Sequence, residues 1–244
     1  MDGRLTRPHV RTLVPYAAAG AAALVGWLWL AGAALSAPHV HGSGLHAFGL
    51  AVVMWQSMVV AMMAPVVAPW IGAYQALLAP AGGRALSGGA ASFAAGYFLA
   101  WLGYSILAAA LQVGLQQLGL VTAGEAIRPL AAAVLVGAGA AQFLPFKQAC
   151  LTHCRNPLSY LIAGWNNGPP HGLRLGAVHG AYCLGCCWLL MLTGLAMGVM
   201  NLAWMAILTV ALVVEQAAPG GAWIGRAFGA GLVAWGIWGL ARMP

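Results

Sequence analysis

The stretch LRLGAVHGAYCLGCCWLLMLTGLAMGV, residues 173–199, decides the fold because it is long, apolar and nearly uncharged. Its single charged side chain, Arg174, lies close to its beginning. A helix needs about 20 apolar residues to cross the hydrocarbon core of a bilayer. Within that core a helix also satisfies its own backbone hydrogen-bonding groups. The stretch is therefore predicted to be a transmembrane helix.

The rest of the chain has the same character. Of its 244 residues, 62% are hydrophobic and 5% are charged, whereas soluble domains carry about 25% charged residues. The apolar runs are continuous and lack the alternating polarity of membrane barrel strands. We predict an all-α polytopic helix bundle, a single transmembrane domain over residues 1–244, with about seven spans. The predicted spans are 13–35, 45–68, 90–118, 129–146, 173–199, 201–217 and 222–240.

The basic residues predict an orientation. The chain contains ten Lys and Arg residues but only three Asp and Glu residues. The basic residues stand singly beside apolar runs, which is typical of the flanks of membrane helices and excludes nucleic acid as a partner. An N-terminus inside places eight of them on the cytoplasmic side and two outside, so we expect N-in, C-out topology in a bacterial cytoplasmic (inner) membrane. The connection 147–172 is then cytoplasmic. The eight are Arg4, Arg7, Arg11, Arg84, Lys147, Arg155, Arg174 and Arg226.

Soft metal ligands are concentrated in the fifth predicted helix. His179, Cys183, Cys186 and Cys187 follow at i, i+4, i+7 and i+8, which places them on one helix face. A single buried Cys often serves as a small apolar residue, but three with a His indicate a site for Cu(I) or zinc. We expect His179, Cys183 and Cys186 to be the central ligands, completed by Cys187 or a Met. Cys187 is turned further round and is the expected partner of Cys154 or a neighbouring helix.

A second group of ligands follows the fourth predicted helix. Cys150 and Cys154 are one turn apart if the helix continues, and His153 lies beside Cys150. Arg155 could favour a thiolate in this group, which suits either metal binding or redox chemistry. Packing near a positive loop is the alternative.

Methionines form a ladder on the second predicted helix. Met54, Met58 and Met62 recur every four residues, and Met63 follows. Thioethers prefer Cu(I), although Met also fills cores. We predict that this helix contacts the fifth one, with a Met sulfur of 58, 62 or 63 close to its cysteines.

Three further features are weaker. A loop with His39, His41 and His46 could bind Cu(II) or zinc, and Glu215 is an acid close to a helix interior. Intramembrane acids are functional candidates by default. A row of small residues on the last helix permits close helix contact, either within one subunit or as a homodimer seam. The row is Gly221, Gly225 and Gly229.

Four blocks together resemble the bacterial family of predicted metal-binding integral membrane proteins grouped as domain of unknown function 2182. They are MWQSMVVAMMAP (54–65), PFKQACLTHCRNP (145–157), HGAYCLGCCWLLM (179–191) and NLAWMAILTVALVVEQ (201–216). The resemblance implies metal binding without an established activity. It usually includes a Lys after the Glu, where this chain has Gln216, which puts a Glu–Lys ion pair in question. The positions it marks are Met58, Met62, Met63, Cys150, Cys154, His179, Cys183, Cys186, Cys187 and Glu215.

Copper handling is the function that these residues favour, as delivery to a cuproenzyme, transport, or service as its accessory subunit. The expected partners are the bilayer and a cuproenzyme, a metallochaperone or another membrane subunit; we do not expect an enzyme on its own. One alternative is a membrane thiol–disulfide oxidoreductase using the pairs Cys183/Cys186 and Cys150/Cys154. Another is a structural subunit whose metal ligands join helices. Cu(I) is the expected metal and zinc the alternative; haem is least favoured, because His179 is the one histidine clearly within a predicted helix.

Overall fold

The computed structural model describes residues 8–36, 44–78, 83–122, 125–163, 169–199 and 201–242. These ranges are almost entirely helical, which confirms the predicted all-α class, and a short antiparallel hairpin pairs β1 with β2. The elements are α1 (Pro8–Ser36), α2 (Leu45–Leu78), α3 (Gly83–Gln117), β1 (Val121–Thr122), β2 (Glu125–Ala126), α4 (Arg128–Ala141), α5 (Pro145–Cys154), α6 (Pro157–Ala163), α7 (Pro169–Met197), α8 (Leu202–Ala217) and α9 (Gly221–Ala241).

The described helices include several membrane spans. Five of them, α1, α2, α3, α7 and α9, contain segments long and apolar enough to cross a bilayer, and α4 with α5 would make a sixth. The remaining apolar helix, α8, has 16 residues, which is shorter than a typical span. Each of the seven predicted segments coincides with a helix, but only five or six described helical segments are long and apolar enough to span. The predicted number of spans is therefore approximate. The N-in, C-out topology depends on that number and stays a prediction.

A sharp bend separates α4 from α5. The two helices meet at 66°, and Leu144 between them is extended, with φ −69° and ψ 138°. The cause is Pro145, because the residue before a proline is disfavoured in the helical region. The bend turns α5 onto α7 and buries Lys147, Cys150 and Cys154. The segment predicted as a cytoplasmic connection therefore contains α5 and α6, and α5 belongs to the packed core.

Helices α3 and α7 approach closely at glycines. A Cβ atom at Gly180 would lie 2.8 Å from Cβ of Ala100 and 2.9 Å from the carbonyl oxygen of Tyr97. At Gly176 it would collide with the Phe93 carbonyl oxygen. Small residues of this kind allow helix backbones to touch inside a bilayer. They bring the side chains of α3 against α7.

Helix α2 packs against α1, α3, α6 and α8. It continues past Pro65 and Pro69 to Leu78, ten residues beyond its predicted end, because prolines are tolerated in membrane helices whose neighbours satisfy the freed groups. Trp55 Nε1 donates to Gln112 Oε1 of α3 at 2.7 Å. Buried aromatic side chains on α2 thus help to join it to the helices around it.

The glycine row of α9 packs within the chain. A Cβ at Gly225 would lie 2.7 Å from Cδ of Glu215, and one at Gly229 would lie 2.6 Å from Cβ of Gln142. Gly221 is buried as well. The row therefore seats α9 on α4 and α8, and the homodimer seam expected as one alternative is wrong for this face, because it is already covered.

The break between α7 and α8 lies where it was predicted. Gly198 has a positive φ of 92°, a conformation that glycine adopts without steric cost. Asn201 then caps α8, since its side chain accepts a hydrogen bond from Trp204 N at 3.0 Å. The same side chain donates to the carbonyl oxygen of Met197 at 2.9 Å, so Asn201 satisfies backbone groups at the ends of both helices.

Candidate metal centre

The cysteines and the histidine of α7 line the inside of the bundle. His179 and Cys183 are fully buried, Cys187 is 1% exposed and Cys186 is 5% exposed. The soft ligands predicted on this helix are thus withdrawn from solvent.

Helix α5 contributes the third cysteine of a compact group. The sulfur atoms of Cys154, Cys183 and Cys186 all lie within 4.8 Å of one another, and all three residues are buried. We call these residues the thiol trio. Three sulfurs around one ion, with metal–sulfur bonds of about 2.3 Å, lie about 4 Å apart. The trio can therefore hold one metal ion after small movements of its side chains.

The sequence predicted His179 as a central ligand beside Cys183 and Cys186, whereas the third member of the compact group is Cys154; metal binding by His179 stays a prediction. Four residues along a helix correspond to about 6 Å of rise, so His179 lies a full turn from Cys183 on the helix axis. Cys154 belongs to α5, which packs against α7, and its sulfur completes the group. That arrangement depends on the bend before α5. The spacing of residues along α7 gives no indication of this bend.

Cys187 and Cys150 lie at the edge of the trio. The Cys187 sulfur is 3.2 Å from the Cys186 sulfur and receives a weak hydrogen bond from Gln216 Nε2 at 3.9 Å. The Cys150 sulfur lies over Gly185, where a Cβ atom would approach it to 2.7 Å. Cys187 was expected to partner Cys154 or a neighbouring helix; its sulfur contacts Gln216 of the neighbouring α8, and the close neighbours of Cys154 are the other two trio members. All five cysteines are free.

Tyr97 is a neighbour of the trio that the sequence analysis missed. Its hydroxyl group on α3 lies 3.2 Å from the Cys183 sulfur. A hydroxyl donor stabilises a sulfur that carries negative charge. An aromatic residue in an apolar helix gives no local signal of this contact, which depends on the close packing of α3 and α7.

Two imidazole rings lie beside the trio. The His179 ring stacks on Trp70 of α2 with centroids 3.6 Å apart, and the His153 ring stacks on Tyr182 with centroids 3.8 Å apart. Both ring nitrogens of His179 and Nε2 of His153 are buried without a hydrogen-bond partner in the described ranges. Trp70 also donates from Nε1 to the carbonyl oxygen of Cys154 at 2.9 Å. The indole thereby ties the end of α5 to α2.

Helices α2 and α7 do contact one another, as predicted, through Trp70 and His179. The methionines Met58, Met62 and Met63 are at most 2% exposed and belong to the same hydrophobic core as the cysteines. The contact of a Met sulfur with a cysteine stays a prediction.

Charged residues form a second buried cluster at the other end of α5. Lys147 Nζ lies 2.7 Å from Oε1 and 2.9 Å from Oε2 of Glu215, and it also donates to Gln142 Oε1. The Lys–Glu pair that Gln216 put in question is therefore present, but with a lysine distant in the sequence. Arg155 donates to the carbonyl oxygen of Ala218 at 2.6 Å. These bonds attach both ends of α5 to the neighbourhood of α8 and α9.

The predicted histidine loop lies mostly outside the described residues. His39 and His41 belong to that part, whereas His46 is exposed in the first turn of α2. Metal binding by this loop stays a prediction.

The chain matches the family PpoB2, described as copper chaperone, over residues 52–239. The matched range includes every cysteine and the Lys147–Glu215 pair. None of the curated proteins matches the chain, and none of the solved structures does. The narrower resemblance to domain of unknown function 2182 stays a prediction. Since the match covers most of the chain, the protein belongs to the PpoB2 family of copper chaperones.

Proposed function

We propose that this protein binds Cu(I) within the membrane at Cys154, Cys183 and Cys186 and delivers it to a copper enzyme. The observation that carries the proposal is the group of three buried sulfurs from two helices, all within 4.8 Å of one another. Thiolates are soft ligands and select Cu(I). Membership of a copper chaperone family supports the same metal.

The surroundings of the trio suit a cargo that must be released. Cu(I) accepts few soft ligands, so it can move by exchanging one ligand at a time with another nearby. Cys187, whose sulfur is 3.2 Å from that of Cys186, supplies such a ligand. Met62 and Met63 on α2 are further candidates for a ligand that exchanges with those of the trio. Zinc would use the thiolates but gain little from the thioethers.

The surroundings of the trio can compensate the charge of a Cu(I)-loaded site. Two thiolates and one Cu(I) carry a net charge of −1, which is costly to bury without partners. The Tyr97 hydroxyl, 3.2 Å from the Cys183 sulfur, can donate to one of them. A third, protonated thiol adds a ligand without adding charge.

Thiol–disulfide exchange is less well supported by this geometry. Exchange requires a thiolate to attack a disulfide sulfur of a partner, and reactive cysteines are therefore partly exposed. The five cysteines of this chain are at most 5% exposed. A partner protein could not reach them without opening the bundle.

The cellular setting completes the proposal. We place the protein in a bacterial cytoplasmic membrane as a single transmembrane domain. Its partner would be a cuproenzyme, directly or through a metallochaperone or another membrane subunit. A purely structural role of the metal, as a bridge between helices, predicts retention of copper instead of transfer.

Elemental analysis of the full chain, purified in mild detergent under reducing conditions, tests the proposal. We expect roughly one copper per chain, with the trio protected from thiol reagents, because soft thiolates hold Cu(I) tightly. Added apo cuproenzyme should then remove the copper and become active. A Cys183→Ser, Cys186→Ser double variant is the control, and it should retain much less copper through purification than the wild type. Zinc without copper, or copper that no apo enzyme removes, would contradict the proposal.

A further inference from the structure

We propose that His153 and His179 form a second, weaker Cu(I) site through which copper passes to and from the thiol trio. This inference rests on the proposed copper function and adds to it a route for the ion.

The first observation is the state of the ring nitrogens. Both nitrogens of the fully buried His179 and Nε2 of His153 lack a hydrogen-bond partner among the described residues. Buried polar groups nearly always have such a partner. A neutral imidazole carries one donor and one acceptor nitrogen, and the acceptor is a good ligand for copper. A bound ion would therefore satisfy nitrogens that the described residues leave without a partner.

The second observation is the spacing of the two rings. Their centroids are 6.2 Å apart and their planes differ by 26°. Metal–nitrogen bonds of about 2 Å on opposite sides of one ion place imidazole centres roughly 6 Å apart. The pair therefore has the separation that a two-coordinate ion requires.

Aromatic neighbours hold this spacing without using the nitrogens. Trp70 stacks on His179 at 3.6 Å and lies 5.7 Å from the His153 ring. Tyr182 stacks on the other ring at 3.8 Å. Stacking orients an imidazole through its face. The edges that carry the nitrogens remain available to a ligand.

The third observation is where the pair lies. His153 directly precedes Cys154 in the last turn of α5 and is partly exposed. His179 precedes Cys183 by one turn, about 6 Å nearer the beginning of α7. The imidazole pair thus lies beside the trio, with His153 as its partly exposed member and His179 as its buried one.

Transfer between the sites is a ligand exchange. The copper–nitrogen bonds break as copper–sulfur bonds form, and copper stays in the +1 state. Each of the two thiols that bind as thiolates releases one proton to solvent. Thiolates are the softer ligands, so copper moves from the imidazoles to the trio until an acceptor with stronger ligands withdraws it.

Two measurements with Cu(I) test the inference on the full chain in detergent. In stopped-flow loading, the His153→Phe, His179→Phe double variant should reach the same copper content as the wild type but about tenfold more slowly. Phenylalanine keeps the ring stacking, and His46→Phe, which replaces an exposed histidine, is the control with wild-type kinetics. In X-ray absorption, a variant with all five cysteines changed to Ser should hold Cu(I) with imidazole nitrogen ligands.

The outcomes separate the two proposals. Loading of the double histidine variant at the wild-type rate would overturn the imidazole site, and so would a folded cysteine-free variant that binds no Cu(I). Wild-type protein without sulfur-bound copper would instead overturn the thiol trio and the proposed function.

Discussion

Two buried polar clusters lie at opposite ends of α5, and they differ in how far their groups are satisfied. At its beginning, Lys147 is paired with both carboxylate oxygens of Glu215 and with Gln142. At its end, Cys154 faces other sulfurs, beside imidazole nitrogens for which the described part of the chain provides no hydrogen-bond partner. The complementary charges of the first cluster hold helices in place. The sulfur and nitrogen atoms of the second cluster are instead suited to bind a metal ion. The helix that carries both links the scaffold to the site.

The largest expected effect concerns the charged cluster. Glu215→Gln should lower the free energy of unfolding by about 3–5 kcal/mol, because Lys147 is then buried without a counter-charge. Denaturation in detergent by sodium dodecyl sulfate, followed by circular dichroism, measures this change. Copper binding should weaken with it, since the pair anchors α5.

The double variant Lys147→Met, Glu215→Gln is the matched control. It removes both charges and should recover much of the lost stability. If Glu215→Gln alone is as stable as the wild type, the pair does not hold the bundle together.

The trio should show the opposite behaviour. Cys183→Ala should cost the apoprotein only about 1 kcal/mol, because a buried thiol acts as a small apolar group. It should abolish the stabilisation by copper, which amounts to about 2.7 kcal/mol at a hundredfold excess over the dissociation constant. Thermal unfolding with and without Cu(I) measures both quantities.

Ser105→Ala is the control for this variant. Ser105 is fully buried on α3 but belongs to neither cluster, so copper should stabilise it as it does the wild type. Stabilisation of Cys183→Ala by the wild-type amount would show that the trio does not bind copper.

The smallest effect is expected on α2. Met62→Leu should lower Cu(I) affinity by less than tenfold and leave zinc affinity unchanged, because a thioether assists the thiolates only for the softer ion. Volume-conserving Met-to-Leu exchanges cost under about 1.5 kcal/mol. Competition with a Cu(I) chelator measures the affinity, and Met205→Leu on α8 is the control. An equal loss in both variants would assign Met62 to packing alone.

Local periodicity predicted the parts of the site that one helix contains. The spacing of His179, Cys183 and Cys186 follows the helical repeat, so their common placement could be inferred from the sequence. The apolar runs likewise located each spanning helix. Boundaries were less accurate, since α2 passes through Pro65 and Pro69 where a soluble helix would end.

Contacts between distant segments could not be predicted in this way. Cys154 reaches the trio because of the bend before Pro145, and Tyr97 reaches Cys183 because glycines let α3 and α7 touch. Lys147 finds Glu215 across 68 positions of sequence. Each contact depends on how the helices pack against one another. No local pattern in the sequence reveals that packing.

The copper content of two neighbouring cysteine variants tests the account most directly. Cys150 and Cys154 lie one turn apart on α5 and are 5% and 4% exposed, but only Cys154 belongs to the trio. Cys154→Ser should lose most of its copper under competition with a chelator, while Cys150→Ser should keep a copper-to-protein ratio close to that of the wild type. Full copper in Cys154→Ser, or loss confined to Cys150→Ser, would contradict the assignment of the thiol trio.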